Sequence, residues 1–191
     1  MTRQLKEYKL SDPVRKYFEK QGYKVYVEIP IAGACIDMVA RKGNFLIAIE
    51  LKMSLTKQLI HRCYTNNLDC NLSYAAVPTE TSNKNKALCK RYGIGIIKIT
   101  HEVNIILEAN KTHEPFKPHH DRMLKYCSGV PWEGVGGLPQ LKGIGPAIEC
   151  AKRVKEYLIS HPAAKWREIF DNVNNHYYNY KSMQSALREK I

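Results

Sequence analysis

Three charged residues, Asp37, Glu50 and Lys52, interrupt the otherwise largely apolar stretch CIDMVARKGNFLIAIELKM, residues 35–53. In a strand starting at Phe45, alternation puts Glu50 and Lys52 on one side with Leu46 and Ala48, and Ile47, Ile49 and Leu51 on the other. Asp37 lies on the preceding strand, and a turn near Arg41–Asn44 can fold it back to the same end, with a stagger or bulge in the pairing. Two carboxylates with a backbone carbonyl, here that of Leu51, make a hard oxygen set suited to Mg²⁺ or Mn²⁺. Such an ion polarises a phosphoryl oxygen and lowers the pKa of a bound water for in-line attack. A neighbouring lysine orients that water or stabilises the charge that develops. These groups together are what phosphodiester hydrolysis requires. The plainer alternative is an edge ion pair between Glu50 and Lys52, worth roughly a few tenths of a kcal/mol.

The surrounding pattern supplies elements to hold such a site. SDPVRKYFEKQGY reads as a helix capped by Ser11 or Asp12, with Pro13 at its first position and Gly22 as terminator. Three strands follow with short joints: Tyr23–Ile31, Cys35–Arg41 and Phe45–Met53. In the first, Val25 and Val27 face one way, Tyr26 and Glu28 the other. A helix capped by Ser54 or Thr56 then buries Leu55, Leu59, Cys63 and Leu68. Next come a buried strand Leu72–Pro78, a basic helix closed by Gly93, a buried strand Ile94–Ile99 and an exposed edge strand Val103–Ala109. Strand–helix–strand–helix–strand demands an α/β arrangement with some parallel pairing, so the expected sheet is mixed and flanked by helices.

Helix, meander carrying Asp37, Glu50-Leu51-Lys52 as E-x-K, then helix and strand: this order over roughly residues 8–108 resembles the PD-(D/E)XK nuclease superfamily. The resemblance implies a restriction-endonuclease-like fold, with Asp37 and Glu50 as metal ligands and Lys52 as the catalytic lysine. It further implies a site-organising role for Gln58, accompanied by Tyr64, and an extra acid from Glu19 or Glu7 on the first helix. Ile36 stands where the family's name-giving proline would be.

Charge points to the substrate class. Thirty Lys and Arg against eighteen Asp and Glu leave a net +12, the footprint of a polyanion binder. Nucleic acid, with DNA first, is the expected partner. The basic helix contributes Lys84, Lys86, Lys90 and Arg91 as candidate phosphate contacts. No run has the roughly 18 apolar residues of a membrane span, and the first ten residues lack a secretory core, so a cytoplasmic protein is expected. The six cysteines show no CxxC pair and read as reduced thiols. His113, His119, His120 and Cys127 lie close in sequence, but their spacing matches no familiar zinc module.

Residues 1–109 thus read as the nuclease-like domain and residues 110–145 as a linker with five prolines and six glycines through Pro146, holding one short helix near Asp121–Cys127. Gly143-Ile144-Gly145 suggests a phosphate-binding helix-hairpin-helix turn, against a plain glycine-proline turn. Residues 146–191 read as a small all-α, helix-turn-helix-like domain. Its first helix buries Ile148, Ala151, Val154, Tyr157 and Leu158; its second, Trp166, Ile169, Phe170 and Val173. In its last helix, Met183, Ala186, Leu187 and Ile191 point inward, leaving Lys181, Gln184, Ser185 and Arg188 to meet bases or phosphates. The expectation is a Mg²⁺- or Mn²⁺-dependent endodeoxyribonuclease, a homodimer where both strands of a duplex are cut. The alternative is a catalytically inactive nuclease-like DNA-binding or assembly protein.

Overall fold

Two-sided burial explains the sheet. The central strands carry apolar residues on both faces because helices cover both. The structure, a computed structural model, describes residues 3–31, 34–128, 146–175, 177 and 179–188. Six strands pair strictly in chain order: β1 (Lys24–Ile31), β2 (Ala34–Lys42), β3 (Phe45–Leu51), β4 (Leu72–Val77), β5 (Gly95–Ile99) and β6 (Val103–Leu107). The β1–β2, β2–β3 and β5–β6 pairs are antiparallel, while β3–β4 and β4–β5 are parallel. The sheet is therefore mixed, and the described chain is α/β, with seven helices.

One face is covered by α1 (Arg3–Lys20), which buries Leu10, Val14 and Phe18 against Val25, Val27, Met38, Ile47, Ile49 and Leu51. Each such side chain contributes about 1.5–3 kcal/mol on burial. The helix starts well before the expected cap at Ser11 or Asp12, and Pro13 lies inside it. The unbroken i, i+4, i+8 line of Leu10, Val14 and Phe18 carries the helix across the proline, so packing overrides the local stop signal.

The opposite face carries three helices. α2 (Lys57–Asn66) and α3 (Asn83–Arg91) bury Leu59, Ile60, Cys63 and Cys89 against Ala75, Val77 and Ile96. Thr56 caps α2, its hydroxyl accepting from the Leu59 amide at 3.1 Å, and Ser82 caps α3 in the same way. α4 (Lys117–Tyr126) comes from the stretch expected to be a linker, yet it packs Met123, with Cys127 just after it, onto Tyr26, Val39, Leu46 and Ala48. Arg41 fastens its end, donating to the carbonyls of Leu124 and Cys127 at 2.7 Å each. The Gly143–Gly145 turn lies outside the described residues.

His120 stitches α4 to the sheet. Its Nδ1 lies 3.0 Å from the Asp69 carbonyl oxygen and its Nε2 3.0 Å from that of Asn44. Replacing His120 with alanine is expected to destabilise the protein by about 1 kcal/mol, as the ring N–H loses its carbonyl acceptor. Chemical denaturation checks this; an unchanged midpoint would show that α4 holds without the stitch.

The tail forms its own apolar cluster. α5 (Pro146–Ser160), α6 (Trp166–Asn172) and α7 (Tyr180–Leu187) enclose Cys150, Val154, Ile169, Val173, Met183 and Leu187. Ala186, expected inside, is exposed, because this short helix buries only the narrow Met183–Leu187 line. Lys125 of α4 sits over the Phe170 ring of α6 at 3.8 Å, joining the tail to the sheet layer. Among the described residues no helix is long and apolar enough to cross a membrane.

Candidate active site

A two-residue turn at Gly43-Asn44 sets the register that matters. Gly43 occupies the left-handed region at φ 61°, as a tight hairpin turn prefers, and Lys42 pairs directly with Phe45. The pairing continues unbroken to Met38–Ile49, so the next step sets Asp37 opposite Glu50. No stagger or bulge is involved; the expectation of one came from counting between Arg41 and Asn44 rather than across the two turn residues. Directly opposed residues share a face. The two acids therefore lie together on the face of α2 and α4, away from α1.

Both carboxylates are nearly sealed. Asp37 is 6% exposed and Glu50 is 0% exposed. Asp37 Oδ2 accepts from the Leu51 amide at 2.8 Å, so Leu51 enters the site through its backbone while its side chain packs toward α1. Glu50 Oε1 accepts from Asn66 Nδ2 at 2.8 Å. Arg62 Nε stands 2.7 Å from Glu50 Oε2, an ion pair by distance. Its angle is poor, and neither atom has a directed hydrogen bond. Arg62 also donates through Nη2 to the Cys35 carbonyl.

Burial and the adjacent Asp37 push the Glu50 carboxyl up to about 8, against the opposing pull of Arg62 and Asn66. The site is thus short of positive charge even with Arg62 in place. A third acid lies on the neighbouring strand. Glu28 is buried on β1, in the register position facing Asp37 between the Val27–Met38 and Ile29–Ile36 pairs. Its backbone adopts φ 53°, the left-handed region, inside a strand, which is strained for a residue with a side chain. Burial and then Glu28 raise the Cys35 thiol.

The remaining expected residues are placed as follows. Lys52 follows β3 directly, half-buried, its amide donating to the Ala76 carbonyl at 3.1 Å. Gln58 is exposed on the first turn of α2 and no hydrogen bond joins it to the acids; Arg62 and Asn66, one and two turns further along the same helical line, reach Glu50 instead. Tyr64 is exposed and packs on Tyr92. Glu19 is exposed on α1, across the sheet from the acids, and the Glu7 side chain lies outside the described residues.

Lys84, Lys90 and Arg91 are exposed on α3 and Lys86 is half-buried. On α7, Lys181, Ser185 and Arg188 are exposed and Gln184 is half-buried, opposite Met183 and Leu187. The residues weighed for zinc do not gather. Cys127 is buried in the sheet layer, His120 is held between two carbonyls, and no group of three metal-ligating side chains occurs among the described residues. All six cysteines are free thiols.

Glu28, Arg62 and Asn66 were not anticipated. Asn66 had a signal, since it continues the Leu59–Cys63 buried line of α2 as its one polar member. Comparison with known protein families, curated proteins and solved structures returned no match.

Proposed function

We propose that this chain is a metal-dependent nuclease with a restriction-endonuclease-like core, acting on DNA. The observation that carries the reading is the meeting of Asp37 and Glu50 one step beyond the Met38–Ile49 pair, with Asp37 Oδ2 accepting from the Leu51 amide and its charge acting on the Glu50 carboxyl. The donor set fits a small divalent cation. Glu50 Oε2 is a buried oxygen with no directed hydrogen bond, and burial beside a second acid pushes its carboxyl up to about 8, the response of a site short of positive charge. Asp37, Glu50 and the Leu51 carbonyl would hold Mg²⁺ or Mn²⁺, which supplies an activated water and charge neutralisation at phosphorus. Lys52, at the end of β3, orients that water or steadies the charge that develops on the phosphoryl oxygens. Asn66 fixes the Glu50 rotamer through Oε1, and the cation would compete with the Arg62 guanidinium for Oε2. The +12 charge and the exposed cations of α3 and α7 favour a nucleic-acid backbone as substrate, with α5–α7 as the DNA-binding module. Cutting both strands of a duplex calls for two copies acting together.

A second reading has its own observation. The Arg62 guanidinium already lies against Glu50, so a chain that binds DNA without cutting it could use Arg62 as a permanent counter-ion. Cleavage of plasmid and oligonucleotide DNA with Mg²⁺, Mn²⁺ or EDTA decides between them. Metal-dependent cutting that disappears in Asp37→Asn supports the nuclease. DNA binding with no cutting and no Mg²⁺ binding supports the second reading.

A further inference from the structure

Arg62 and Asn66 each have two sides. One side holds Glu50; the other lines a cleft of about 280 Å³ completed by Thr65, Asp69, His119 and Arg122. α2 supplies the near wall, and α4, held by His120, brings His119 and Arg122 to the far one.

This cleft is rich in unmet hydrogen-bonding capacity. Asn66 Oδ1 and Arg122 Nε are buried atoms with no hydrogen bond, and Asp69 Oδ1 and His119 Nδ1 meet only ion-pair contacts without hydrogen-bond geometry. Asn66 is 0% exposed, and the Asp69 side chain only 10%. A structural ion cluster would close its contacts to about 2.7–2.9 Å. Here His119 Nδ1 and Arg122 Nη2 each stand 3.5 Å from Asp69 Oδ1. Burial raises the Asp69 carboxyl even with Arg122 beside it. Two guanidinium groups, a buried amide and a buried carboxyl thus line one space, and they call for a ligand with both donors and acceptors.

We infer that the cleft is a nucleotide subsite, taking a phosphate on Arg62 and Arg122 and a polar sugar or base edge on Asn66 and Asp69. A space of this size fits one nucleotide unit. Arg62 would then connect the phosphate to the acid pair, aligning the strand beside Glu50. The inference rests on the nuclease reading for the identity of the polymer, but not for the chemistry of binding.

The test is calorimetric or NMR titration of the full chain in EDTA with deoxyadenosine monophosphate and with deoxyadenosine. The nucleotide is expected to bind at least about tenfold more tightly than the nucleoside, as a charge-assisted phosphate contact gives. Arg122→Gln is expected to lose about tenfold in nucleotide affinity and to raise KM for an oligonucleotide more than it lowers kcat. Lys117→Gln removes a charge from the exposed side of the same helix and is expected to leave nucleotide affinity unchanged. Melting curves verify that each variant folds; should Arg122→Gln not fold, Arg62→Gln, at the other phosphate contact, is expected to give the same loss of nucleotide affinity.

Absent nucleotide binding, equal binding of nucleotide and nucleoside, or equal weakening by Lys117→Gln overturns the inference. Because no cleavage occurs in EDTA, an inactive chain that still shows this pattern keeps the subsite and loses only hydrolysis. A chain that cuts without the pattern does the reverse.

Discussion

Glu50→Gln is expected to reduce metal-dependent cleavage by about 10³-fold or more, equivalent to about 4 kcal/mol of transition-state stabilisation. The same substitution is expected to raise the melting temperature of the metal-free protein at alkaline pH. A ligand residue lost to function thereby becomes a stabilising change, and the pairing of effects is the signature. Glutamine keeps the shape and can still accept from Asn66 Nδ2, as Oε1 does now. It removes a carboxylate from a position with no exposure to water and ends its repulsion with Asp37. Arg62, whose side chain is 35% exposed, can turn to solvent once its partner is neutral. Activity and melting curves of one preparation measure both effects. Retained cleavage would remove Glu50 from the metal site, and a large loss of stability would recast it as a purely structural acid.

Metal-free stability is expected to fall as pH rises from about 4.5 to about 8, and added Mg²⁺ to restore it increasingly over the same range. The sign follows from the raised Glu50 carboxyl. The folded chain holds this proton more tightly than the unfolded chain, so its contribution is complete below the unfolded value of 4.5 and is lost as pH climbs to about 8. On the order of a few kcal/mol is at stake, or about 2–4 °C per kcal/mol in a chain of this size. Mg²⁺ displaces the proton, so its apparent affinity rises with pH and levels off above about 8. Thermal melts in EDTA and in excess Mg²⁺ across this range measure both slopes. Glu50→Gln should flatten them; if Mg²⁺ stabilises the variant as it does the parent, the cation binds elsewhere.

The acid pair was legible because strand parity and hairpin counting are local rules. Glu50 and Lys52 shared a parity, and Asp37 lay on the facing strand. The register needed only the knowledge that Gly43 and Asn44 alone form the turn. What escaped was the third dimension. Gln58, Arg62 and Asn66 lie on one line of α2, and spacing cannot say which turn of a helix stands above a given strand residue. Glu28 was assigned to the side of Tyr26, but nothing in its neighbours signals a left-handed backbone in mid-strand. α4 was half legible: a short helix near Asp121–Cys127 was expected, but neither its earlier start nor its packing on the sheet. Prolines and histidines around Lys117–Tyr126 resemble linker composition, and only Met123 and Cys127 reveal that the segment has a core to meet. Pro13 shows the opposite error, a strong local signal outweighed by a long apolar line.

Strict sequential order in the sheet has a consequence for assembly. Each strand hydrogen-bonds to the one made just before it, so the three antiparallel pairs close over short loops, whereas the parallel β3–β4 and β4–β5 pairs each wait on a helical crossover and are the slower joins. α4 closes the order, since His120 must reach back across 76 positions to Asn44. The cleft between α2 and α4 is therefore the last part of the core to take shape, and it can open locally while the sheet stays folded.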